Sequence, residues 1–123
     1  MAGKDDLDYE DMLEVTYEAL EESGFRDIRV TDAEDLPEPE AVEGHIPDMQ
    51  ATNQKGITYL FEVCPPEVFA EMELVERLQA FTRRAKELGG QVVLIVPEGE
   101  EGLAAAFVEE HELPEDRLTI WEA

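Results

Sequence analysis

The chain has 123 residues, and its 32 Asp and Glu against nine Lys and Arg give a formal net charge of −23. At 43% hydrophobic residues it is too apolar for a disordered polyanion, and it is long enough for one domain, residues 1–123, with a buried core. No apolar run reaches the roughly 20 residues of a membrane span, MAGKDDLDYE has no apolar signal region, and the single Cys64 excludes an internal disulfide, so a cytoplasmic protein without membrane association is expected.

In chain order, residues 7–23 read as an amphipathic helix, with Tyr9, Leu13, Tyr17 and Leu20 at helical spacing and Met12 and Thr16 beside them. Ser23-Gly24 ends it. Phe25 to Thr31 reads as a short strand with Ile28 and Val30 on one face. Residues 32–44, DAEDLPEPEAVEG, carry two prolines and six acids and read as a loop or exposed edge.

Asp48–Asn53 and Ile57–Cys64 form a hairpin around Gln54-Lys55-Gly56, in which Gly56 is free to take the left-handed conformation. Placing Asn53 opposite Ile57 sets Ala51 against Tyr59 and Asp48 against Glu62. Alternation then turns Tyr59, Phe61 and Val63 to one side of the sheet, and Leu60, Glu62 and Cys64 to the other. Asp48, Glu62 and Cys64 therefore share a face, a grouping that a one-residue slip would destroy.

After Pro65-Pro66, a helix is expected near 68–88 with Leu74, Val75, Leu78, Phe81, Ala85 and Leu88 as its buried stripe, closed by Gly89-Gly90. The β-branched run 92–96 reads as a strand covered on both faces. A helix near 100–111, with Leu103, Ala106, Phe107 and Glu110 at helical spacing, and a strand at 117–121 complete the order α-β-β-β-α-β-α-β. That order predicts an α/β fold, a mixed central sheet flanked by helices.

The element order, together with Pro47-Asp48 and Glu62-Val63-Cys64, resembles the PD-(D/E)xK nuclease superfamily, the restriction-endonuclease-like fold. The likeness runs from the first helix to the 92–96 strand. It implies that Asp48 and Glu62 are metal ligands holding Mg or Mn, supplemented by Glu18 or Glu14 of the first helix. It also places Cys64 at the position of the family's catalytic lysine. Two carboxylates on one rigid face suit a hard, water-retaining cation that lowers the pKa of a bound water.

A thiol beside two carboxylates stays neutral and supplies no positive charge. Losing one such electrostatic contact typically costs about 10²–10³ in rate. Neither Lys55, Arg83 nor Lys86 is well placed to substitute. Arg77, Arg83, Arg84 and Lys86 read as a solvated helix face paired with Glu73, Glu76 and Glu87. Cys64 also reads as a small packed hydrophobe, His45 as a remote candidate for a zinc site with the hairpin residues, and His111 as a complement to a helix end.

The expectation is a nuclease fold with a degenerate active site, acting as an interaction or structural module: a homodimer, or bound to a protein partner. The alternative is a divalent-metal-dependent nuclease using Asp48 and Glu62. The charge argues against nucleic acid as a partner, because phosphate contacts draw their affinity from Lys and Arg. The same acidity reads as solubility, high-salt adaptation or complementarity to a basic protein.

Overall fold

The computed structural model describes residues 7–33 and 35–123. Residues 1–6 of the N-terminal stretch read for an export signal, and Glu34 of the acidic loop, lie outside the described residues.

The chain folds in the order α1 (Leu7–Glu22), β1 (Arg26–Val30), β2 (Met49–Thr52), β3 (Thr58–Val63), α2 (Met72–Leu88), β4 (Gln91–Val96), α3 (Glu101–Glu110) and β5 (Leu118–Glu122). The five strands form one sheet in sequence order. β1, β2 and β3 are an antiparallel meander, while β3, β4 and β5 are parallel. A tight hairpin joins β2 to β3, the longer loop 31–48 joins β1 to β2, and the parallel pairs need the α2 and α3 crossovers. The protein is thus a mixed α/β fold, as expected.

The sheet separates two apolar clusters. On one side Phe61, Val63, Val93 and Ile95 pack with Met12 and Leu20 of α1. On the other Leu60, Cys64, Val92, Leu94 and Val96 pack with Leu74, Leu78 and Phe81 of α2 and Phe107 of α3. β4 lies inside the sheet, between β3 and β5, and is apolar on both faces, which accounts for its unbroken hydrophobic run.

Element boundaries and faces depart from the sequence reading at three places. The helix expected from residue 68 is a 3₁₀ turn, Pro66–Ala70, followed by extended Glu71 and then α2. Leu88 is 54% exposed, so the α2 stripe ends at Ala85. In α3 the buried residues are Ala104, Phe107 and Val108, with Leu103 and Ala106 outside. Short helices hold too few turns for periodicity to fix the face, and the packing partner decides.

The hairpin has the expected register, Ala51 opposite Tyr59 and Met49 opposite Phe61. Gly56 takes φ 83°, and the Asn53 side-chain oxygen accepts from the Lys55 and Ile57 N–H groups. At the far end of α2, Gly89 takes φ 69° and closes the helix by donating to Ala85 and Lys86. Gly90 has a different reason to be glycine: a Cβ there would stand 2.2 Å from the Thr58 carbonyl oxygen.

Candidate functional site

Asp48 and Glu62 both sit where the β2–β3 ladder ends and line one cavity of about 340 Å³, with Tyr9, Thr31, Asp32 and Arg77. Asp48 lies just before β2, and one of its carboxylate oxygens accepts the Val63 N–H at 2.8 Å. The side chain thereby supplies the acceptor that a further β2 residue would have offered as a backbone carbonyl. Its other oxygen accepts from the Tyr9 hydroxyl at 3.0 Å, which ties α1 to the end of the hairpin. Burial first, then the neighbouring Asp48 carboxylate, pushes the Tyr9 hydroxyl far above its ordinary pKa.

Glu62 has no exposed surface. An ionised carboxylate in that position is costly unless charge and hydrogen bonds compensate it. Arg77 of α2 does both: its Nε donates to Oε2 at 2.8 Å and its Nη2 to Oε1 at 2.9 Å. The same Nη2 donates to the Ile46 carbonyl at 2.7 Å, and the guanidinium lies 5.3 Å from the centre of the Phe81 ring. Burial alone would lower the Arg77 pKa, but the Glu62 hydrogen bonds and charge, with Asp48 and Glu73 behind them, hold it above its ordinary value.

This overturns the expectation that no cation of the protein's own stands beside the two acids. It also corrects the reading of Arg77 as part of a solvated face. Of that group, Arg84 does pair with Glu87 along the helix, at 3.4 Å, while Arg83 crosses to Glu43. The physical reason lies in α2: Arg77 borders the Leu74, Leu78 and Phe81 stripe, and its long arm reaches past the stripe to the sheet.

The remaining candidates separate. Cys64 follows Glu62 on the same side of β3, but its thiol is fully buried in the α2–α3 cluster and does not line the cavity. Glu18 is exposed on α1 and also does not line it, and Glu14 borders a neighbouring surface groove instead. His45 bridges to Val42 in the loop before the hairpin. His111 caps α3, and its ring lies tilted against Phe107 with centroids 4.6 Å apart. Among the described side chains of α1, Tyr9 lines the cavity.

Arg77 offsets one of the two negative charges that Asp48 and Glu62 bring, while Asp32, Glu71 and Glu73 also line the cavity. A divalent ion ligated by Glu62 would compete with a bidentate guanidinium. Two unit charges 4 Å apart at an effective dielectric near 20 interact by about 4 kcal/mol, and a divalent ion doubles that repulsion. No group of three or more His, Cys, Asp or Glu among the described residues is arranged to hold a metal ion. As arranged, both Glu62 oxygens are engaged by Arg77, which a Mg or Mn ion ligated there would have to displace.

Two signals for this were present in the sequence. A glutamate in an apolar strand demands a partner, and an arginine one residue before a buried leucine is within reach of the sheet beneath. Nothing local pointed to Tyr9 donating to Asp48, which joins residues 39 positions apart. No protein-family model, no curated protein and no solved structure matches the chain.

Proposed function

We propose that the protein is a restriction-endonuclease-like scaffold that does not cleave nucleic acid and works through protein contact, as a homodimer or with another protein. The observation that carries this reading is the bidentate Arg77–Glu62 pair. The glutamate at the metal-ligand position already has a cation on both oxygens. Inactivity argued from a missing lysine alone would fail, since Arg77 is present; the stronger ground is the use to which Arg77 is put. The −23 charge points the same way, because it repels a phosphate backbone over the range that salt leaves unscreened.

The test is incubation with supercoiled, branched and single-stranded DNA in Mg and in Mn. No turnover is expected. Cleavage that disappears in Asp48→Ala or Glu62→Ala would overturn the proposal.

A second reading has one observation in its favour. Arg77 stands beside both carboxylates at an open cavity, where a transition-state cation would serve a metal-dependent nuclease. It requires Mn to draw Glu62 away from Arg77, so calorimetry with no Mn binding at millimolar concentration would remove it. Self-association is checked by sedimentation at low and high salt. A dimer of two such acidic chains is expected to strengthen as salt screens their repulsion.

A further inference from the structure

The two edges of the sheet are treated differently. The β1 edge is blunted: its register shifts between Arg26 and Arg29, Asp27 there takes φ 52°, and the Val30 N–H is occupied by the Pro37 carbonyl of the acidic loop. Bulges and covering loops are the usual protection against unwanted strand pairing. Among the described residues, β5 has no such cover. Among the described residues it pairs with β4 alone, without irregularity, from Leu118 to Glu122. Ala123 donates its N–H to Val96, so strand alternation turns the backbone groups of Ile120 and Glu122 outward.

Beside this edge lies a groove of about 560 Å³ between β5 and α3. Its floor is apolar, built from Ala105, Val108, Leu118 and Ile120, and its rim carries Glu101, Glu109 and Glu115. Arg117, the nearest base in sequence, is turned to the Gly90 carbonyl. An open edge strand gives affinity through backbone hydrogen bonds, and a neighbouring groove selects every second side chain.

We propose that the β5 edge and the α3 groove receive an extended segment of a basic partner protein as a sixth strand, with aliphatic side chains on the groove floor and Lys or Arg on the rim. This rests on the reading of the protein as an interaction module. Charge complementarity chooses the occupant. A second copy would bring its own Glu115 and Glu122 to a rim already acidic, whereas a basic strand neutralises it.

The experiment displays a library of eight-residue peptides to the full-length protein and measures selected and acidic control peptides by Trp121 fluorescence and amide exchange. Expected are Lys or Arg enriched at alternating positions and slowed exchange at Ile120 and Glu122. Affinity should fall steeply with salt and by at least tenfold in Ala105→Trp, which fills the groove from an exposed helix position. The charge reversals Glu101→Lys and Glu109→Lys should weaken basic peptides and leave the backbone edge intact.

No enrichment, or basic binding that Ala105→Trp leaves unchanged, would overturn the proposal. So would self-association, strengthened by salt and lost in Ala105→Trp, since the occupant is then a second copy. DNA cleavage would sink the scaffold reading without touching this edge, and failed peptide selection would sink the edge proposal without restoring cleavage.

Discussion

Arg77 and Glu62 illustrate an asymmetry of buried ion pairs. Making the pair from two apolar residues brings little stability, because both charges must leave water, but removing one partner strands the other. Arg77→Met is therefore expected to cost about 3–5 kcal/mol in urea unfolding. Glu62→Leu combined with Arg77→Met should recover most of that loss. A double variant as damaged as the single one would show that Arg77 acts through Ile46 or Phe81 instead. Tyr9 gives a second prediction, in the pH dependence. Its folded pKa is raised, so its contribution is complete below the unfolded value near 10 and is lost as pH climbs above it toward the folded value. Unfolding free energy should drop more steeply above pH 10 in the native protein than in Tyr9→Phe. At neutral pH that variant should lose about 1.5–3 kcal/mol, the usual worth of a hydrogen bond to a carboxylate.

At the level of elements, the hairpin was legible because its two determinants are local. A glycine able to take positive φ fixes the turn, and alternation from that turn fixes every pairing as far as Phe61, the partner of Met49. The interior strand β4 was legible from its continuous apolar run. Helix faces were less so: the same letters that marked α2 as amphipathic did not distinguish an arginine bordering the core from one in water. The break at Glu71 was hidden because Pro66 is as acceptable in a 3₁₀ turn as in the first turn of an α-helix. Glycine pairs look alike in sequence yet differ in kind here. Gly89→Ala meets only the strain of a left-handed backbone, about 1–2 kcal/mol. Gly90→Ala drives a methyl group into the Thr58 carbonyl and must part β3 from β4. The Gly90 variant should show the larger fall in melting temperature, together with faster exchange of β4 amides.

For the whole molecule, repulsion among unpaired carboxylates opposes folding and is screened by salt, while the buried pair is screened far less. The urea midpoint should rise between 0.1 and 1 M NaCl, and the stability gap between native protein and Arg77→Met should persist across that range. A midpoint independent of salt would mean that the acidic surface carries no net strain at low ionic strength. What composition could not convey is the distribution of this charge: an acidic rim lies around an apolar groove at one end of the sheet, while the two acids of the hairpin face an arginine further along it.

The thiol at the end of β3 has a practical corollary. Cys64 is wholly enclosed, and its backbone N–H is bonded to the Ile95 carbonyl. An alkylating reagent can reach the sulfur only after the covering layer of α2 lifts from the sheet. Labelling of this solitary group thus acts as a clock for opening of the interior. Any pairing of intact chains must hold without a covalent sulfur link.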